Sequence, residues 1–177
     1  MNRRTVSMAL AAAVALATVT LDAQAAGRVH FARQNSSGGV TAGTVAGGRG
    51  PDGGAFVRGR GVRTDGQGNV TAASGGAFKT PSGASGARAG VTTRTSNGAI
   101  QHSSGFAASG PKGDVSSKGG LTKSADGTID QSRTSTATNA ATGNTVTSQS
   151  SYTSSGGYSR SVSCTNSSGA SITCPKH

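Results

Sequence analysis

The sequence predicts an all-β fold. It reads as antiparallel β-hairpin repeats, about 30 residues per two-strand unit, in a meander or solenoid-like sheet with a flexible N-terminal arm. Three observations predict it. Pro51, Pro81 and Pro111 stand thirty residues apart, and Gly53, Gly83, Gly113 and Gly143 keep the same interval. Halfway between them, "TDGQGNV" (64–70), "TSNGAI" (95–100) and "SADGTI" (124–129) carry Asp-Gly or Asn-Gly. The segments between turns, such as "TIDQSRTSTATNA" (128–140), are rich in Thr, free of Leu and Glu, and show no heptad pattern.

Each series has a physical reading. Proline presets φ for the first corner of a type I turn, and glycine takes the left-handed position that follows. A type I turn closed by a left-handed glycine is the common three-residue hairpin loop. Asn-Gly and Asp-Gly are the strongest short hairpin signals. A β-branched residue recurs two places after the turn glycine: Val70, Ile100, Val115 and Ile129. Chain-reversing corners favour a meander over a coiled solenoid.

The chain opens with a basic start, Asn2-Arg3-Arg4, then an apolar run from Val6 to Leu21, then Ala23-Gln24-Ala25. That order is a secretory signal peptide over residues 1–25, cleaved between Ala25 and Ala26. The run falls short of the about 20 apolar residues of a spanning helix, and no later segment could cross a membrane as a helix. The expected location is the periplasm, the cell surface or the medium. Residues 26–49 carry Gly and Arg with weak turn spacing and read as the flexible arm. The repeat domain is expected over 50–177.

Removing the leader leaves 152 residues with fifteen basic and five acidic side chains, a net charge of +10, and no Glu or Trp. Val, Ile, Leu, Phe and Tyr together supply only twenty of those residues. A thick globular core is out of reach, so the chain is a thin sheet, a partly disordered polymer, or one that orders on assembly. Cys164 and Cys174 are the only cysteines, and an even pair in an exported chain points to a disulfide. It would clasp the last hairpin around "TNSSGAS" (165–171). A three-residue loop at Ser167-Ser168-Gly169 would set Cys164 opposite Ile172, so the bridge implies a longer loop or a bulge.

The basic stretch "RGPDGGAFVRGRGVR" (49–63) offers Arg49, Arg58, Arg60 and Arg63 as candidate polyanion contacts. Its single aromatic, Phe56, provides little for stacking bases, and an exported chain has little occasion to meet intracellular nucleic acid. Gly48 to Gly53 matches G-x-G-x-x-G, but the dinucleotide motif requires a strand before it and a helix after it. His30, His102 and His177 have no metal-ligand spacing, and the acids are too few for paired carboxylates or for calcium-binding β-rolls. No cofactor, metal or catalytic residue is expected, and the chain does not read as an enzyme. The sequons at Asn35, Asn69 and Asn166 carry little weight in a Ser/Thr-rich chain.

The leader, "TDGQGN", "SADGT" and the terminal cysteine pair make the chain resemble the small exported Gly/Ser/Thr-rich proteins of proteobacteria, most of which have no assigned function. It lacks the Tyr-Asp dipeptide of Tyr-Asp repeat shells and the Gln/Asn ladders of curli repeats. The expected function is non-enzymatic: an exported structural or binding protein whose basic repeat surface contacts anionic envelope or matrix polymers, such as acidic polysaccharide or lipopolysaccharide. The alternative is a self-assembling fibre or matrix protein. A small secreted hydrolase or toxin would need an acid–base constellation that the sequence does not offer.

Overall fold

The computed structural model describes residues 26–174; the expected leader, residues 1–25, lies outside the described residues. Eleven strands follow one another: β1 (Gly27–Gln34), β2 (Val40–Arg49), β3 (Ala55–Thr64), β4 (Val70–Lys79), β5 (Ser85–Arg94), β6 (Ile100–Gly110), β7 (Gly113–Lys123), β8 (Ile129–Asn139), β9 (Thr145–Thr153), β10 (Gly157–Thr165) and β11 (Ser171–Ile172). They form one sheet in sequence order, every neighbouring pair antiparallel. The fold is therefore a meander, with no crossover. At about 4.8 Å per strand the sheet runs about 48 Å across its strands.

Most turns take the three-residue form expected of the proline series. At Pro51-Asp52-Gly53 the Gly53 N–H donates to the Gly50 carbonyl at 3.2 Å, and Gly53 sits at φ +83. The Asn97-Gly98 and Asp126-Gly127 corners use the same loop rather than the two-residue hairpin turn, whereas Gly66-Gln67-Gly68 holds two left-handed glycines, at φ +75 and +90. Gly98 donates to the Thr95 carbonyl at 2.9 Å and takes the left-handed position at φ +87, which glycine adopts without a Cβ clash. Side chains at the loop base finish the turns. Asn166 Oδ1 accepts from the N–H groups of Ser168 and Ala170, at 3.1 and 2.9 Å. Asp65 Oδ1 accepts from Gln67 and Asn69, at 2.8 and 3.1 Å.

Uniform turns produce a uniform register. Arg28 pairs with Ala46, Ala46 with Arg58, Arg58 with Gly76, and Gly76 with Arg88. Any residue of β1 thus lies in line with the residues thirty and sixty places later. The first hairpin belongs to this lattice: residues 26–49, expected as a flexible arm, form β1 and β2. Their corner at Ser36-Ser37-Gly38 has the same geometry without a proline, which is why the proline ruler did not reach it.

The lattice slips first between β6 and β7 and shifts again between β8 and β9, whose loop holds four residues, 140–143. Gly110 pairs directly with Gly113, so Pro111-Lys112 is a two-residue loop, unlike its counterparts at Pro51 and Pro81. The residue in line with Arg88 two strands on is consequently Ser117, not Lys118. A slip of one residue sends a side chain to the other face.

Among the described residues no second layer covers either face. Among the described residues other than glycine, only Ala46, Cys164 and Ser117 are buried, and no side chain is fully enclosed. Cross-strand packing substitutes for a core. Phe31 lies across Gly43 directly opposite it, and a Cβ built on Gly43 would stand 2.6 Å from the ring. Phe78 covers Gly86 in the same way, at 2.7 Å. Phe56 and Phe78 face each other across β3 and β4, with Gly48 and Gly86 on their outer sides. The glycines admit the rings against backbone, as in aromatic rescue of sheet glycines.

Cys164 and Cys174 are bonded, with Cα atoms 5.3 Å apart. The hairpin loop keeps three residues, and Cys164 does pair with Ile172. The expected longer loop or bulge is absent; instead β11 stops at Ile172, which frees Cys174 to approach its partner from beyond the strand. Replacing both cysteines with serine is expected to lower the unfolding free energy by about 3 kcal/mol on the loop-entropy model, read by urea denaturation.

The Asp65 carboxylate is held below its ordinary value, first by the hydrogen bond from the Asn69 side chain and next by the Gln67 N–H. Asp126 is lowered chiefly by the Thr128 N–H. Lowered folded-state values mean that the charged turns add stability that is present above the unfolded value of 3.8 and is lost as pH falls through the folded values. Asp65→Asn should therefore flatten the fall of the urea midpoint below about pH 4 while leaving its shape at neutral pH unchanged.

Candidate functional site

Strand alternation and the pairing register assign every strand residue to one of two faces. One face holds Arg28 in β1, Arg58 and Arg60 in β3, Arg88 and Arg94 in β5, Lys123 in β7, Arg133 in β8 and Arg160 in β10. No acidic residue of any strand shares it. The two acids within strands, Asp114 and Asp130, stand on the opposite face with Arg33, Arg49, Arg63, Lys79 and Lys118. Charge on the first face is unneutralised by its neighbours, and an exposed single-sign field attracts counter-charged ligands.

Its cations are ordered. Arg28, Arg58 and Arg88 lie in one row on β1, β3 and β5, with Ala46 and Gly76 on the strands between. Arg133 and Arg160 are aligned through Ser150, again on alternate strands. Each interval is two strands, about 10 Å. The row carrying Phe56 and Phe78 runs alongside, and the Arg58 guanidinium stands 6.0 Å from the Phe56 ring centroid. That contact limits where Arg58 points without neutralising it.

On the other side of the arginine row the same face forms an open trough of about 660 Å³ crossing β1 to β6. Ala42, Thr44, Ala72, Ser74 and Gly90 keep its floor low, and Arg60 projects into the middle of it. His30 and His102 mark its two ends. Each histidine sits opposite a threonine and pairs with it through Nδ1: His30 with Thr44 at 3.0 Å, His102 with Thr92 at 2.8 Å. Among the described residues, no three of His, Cys, Asp or Glu come together as a metal site would need.

Further along, Arg133 reaches back over Gly119 and donates to Ser117 Oγ at 3.0 Å and Ser104 Oγ at 3.1 Å. Ser117 is buried and shares a further hydrogen bond with Ser135, at 2.8 Å. Two serine hydroxyls fix this guanidinium and leave its charge available, because neither can ionise near neutral pH.

The linear cluster expected to bind polyanions is divided by the pleat. Arg58 and Arg60 stay together on the cationic face, whereas Arg49 and Arg63 point to the other, where Arg63 donates to Ser37 Oγ at 3.1 Å. Arg28 and Arg88 replace them in space. The thirty-residue interval that places the turns also separates Arg28, Arg58 and Arg88, so the signal was present in the sequence. Reading residues 26–49 as an arm outside the sheet concealed it.

From β8 to β10 the opposite face is dominated by hydroxyls. Thr134, Thr136 and Thr138 stand beside Thr145 and Thr147, and then Ser161, Ser163 and Thr165. Thr138 and Thr145 share a hydrogen bond of 2.9 Å, as Ser151 and Ser159 do at 2.8 Å. The cationic face pairs its polar groups too, with Arg160 Nε donating to Ser148 Oγ at 3.3 Å, but its strands place no acid beside its cations. No family model, curated protein or solved structure was found to match the chain.

Proposed function

We propose that this protein is a non-enzymatic, exported binding protein that holds anionic envelope or matrix polymers against its cationic face. The observation that carries the reading is the segregation of charge: eight cations and no acid on one face of the sheet. Such a surface offers many weak contacts at fixed intervals, and linked weak contacts bind together far more tightly than any one of them alone. The bridged cysteines agree with an oxidising compartment outside the cytoplasm.

A second reading, self-assembly, is favoured by the edges of the sheet. Among the described residues nothing covers the outer edge of β1, where Val29 is 65% exposed, and β11 pairs only with Cys164 and Thr165 of β10. β1 and β10 run in opposite senses, so β1 of one copy could extend β10 of another in the same antiparallel pattern. A head-to-tail contact of that kind does not close and leads to filaments.

Two measurements separate these readings. Arg58→Gln/Arg60→Gln/Arg88→Gln should elute from immobilised heparin at markedly lower salt than the wild type. Arg33→Gln/Arg49→Gln/Arg63→Gln, with the same change in charge, should shift elution much less; equal shifts would count against a face-specific site. If edges drive assembly, light scattering should rise with protein concentration and Val29→Lys should suppress the rise, whereas a monomer at every concentration would remove the second reading.

A further inference from the structure

The cationic face is a lattice as well as a field. From β1 to β5 its teeth stand on every second strand, and the strands between them carry Ala46, Gly76 or Ser74. Three teeth, Arg28, Arg58 and Arg88, are collinear, exposed and about 10 Å apart. The line they define runs across the strands, parallel to the trough on one side and to the Phe56–Phe78 row on the other. A ligand meeting all three must be linear, must lie across the strands, and must repeat its charge at the two-strand interval.

We propose that Arg28, Arg58 and Arg88 form a comb for a linear acidic polysaccharide, laid across the strands with one same-side carboxylate at each tooth. This rests on the polyanion reading above and narrows it to a ligand class. In an extended chain of sugars with alternating ring orientation, groups on the same side recur once per disaccharide, a length comparable to two strand spacings. A guanidinium pairs with a carboxylate through two parallel hydrogen bonds, which fixes register as well as charge. The exposed faces of Phe56 and Phe78 offer apolar surface for the C–H faces of sugar rings, and the small residues of the trough leave room for the ring substituents.

Nucleic acid fits this comb less well. Along one strand of a duplex its phosphates recur about every 3.4 Å, so most would fall between teeth. The paired phosphates of a lipid A headgroup could engage two teeth but not the full row. Arg60 and the pair of Arg133 and Arg160 lie on the next row of the same face, where they can take neighbouring segments of a longer chain.

The decisive variant moves a tooth without changing the charge. Arg58→Ser combined with Ser74→Arg shifts the middle guanidinium to the neighbouring strand and off the row, to an exposed position opposite Arg60 that is not a glycine. Binding of the disulfide-bonded mature chain is measured by calorimetry at two salt concentrations. The probes are a glucuronate–N-acetylglucosamine decasaccharide, lipopolysaccharide, polyphosphate and oligothymidylate. The comb predicts an affinity for the decasaccharide that falls about tenfold in the shifted variant, with polyphosphate binding nearly unchanged. Arg28→Ser and Arg88→Ser, which alter only exposed side chains, should each weaken the decasaccharide and should do so if the double variant fails to fold. Unchanged decasaccharide binding in the correctly folded shifted variant overturns the comb while leaving a generic cationic face intact. Tighter binding of oligothymidylate or lipopolysaccharide than of the decasaccharide also overturns it. Failure of the wild type to bind any of the four overturns the polyanion reading and the comb with it.

Discussion

The antiparallel hydrogen-bond ladder is the constraint on which everything else in this protein depends. A globular domain can tolerate a poor turn because a core holds its elements in place. Here, among the described residues, two faces lie open, no side chain is fully enclosed, and each strand is placed only by its neighbours. Register must then be set where each hairpin begins, which is why glycine, Asn, Asp and Thr recur at loop bases with repeated hydrogen-bond patterns. The turns do the work of a core.

The scarcity of bulky apolar residues follows from the same arrangement. A single layer cannot bury a continuous hydrophobic face, and large exposed apolar patches invite association. The chain uses phenylalanine sparingly and sets three of the four rings beside glycines that let them lie flat on backbone, Phe31 on Gly43, Phe56 by Gly48 and Phe78 on Gly86. Between those contacts the surface is filled with Ser, Thr, Ala and arginine. Arginine suits this setting, since its stem covers backbone while its guanidinium stays solvated.

A uniform ladder also turns sequence periodicity into spatial order. Because each two-strand unit spans thirty residues from β1 to β6, residues one period apart line up on alternate strands. A repeated arginine becomes a row of evenly spaced charges without any dedicated site architecture. The two-residue loop at Pro111-Lys112 ends that arrangement by sending Lys118 to the other face, and the later cations at Arg133 and Arg160 follow a new phase. The tail of the sheet is finished differently again, by a short strand and a disulfide that tie down the end of the chain.

What the sequence by itself determined is local: the strands, the corners, the antiparallel order and the partnership of the two cysteines. Turn chemistry acts over a few residues, so Pro-x-Gly and Asn-Gly could be read without knowing their surroundings. The face on which each arginine stands could not be read this way, because it depends on loop lengths summed along the chain, and one residue fewer at Pro111 reverses the answer. The same holds for the first hairpin, whose Ser-Ser-Gly corner becomes a lattice turn only when β3 is there to pair with β2. Arg49 and Arg63 are near Arg58 in sequence yet lie across the sheet from it, while Arg28 and Arg88, thirty residues away on either side, share its row. Side-chain alternation separates near neighbours and the ladder unites distant ones, so only the paired sheet decided which charges act together.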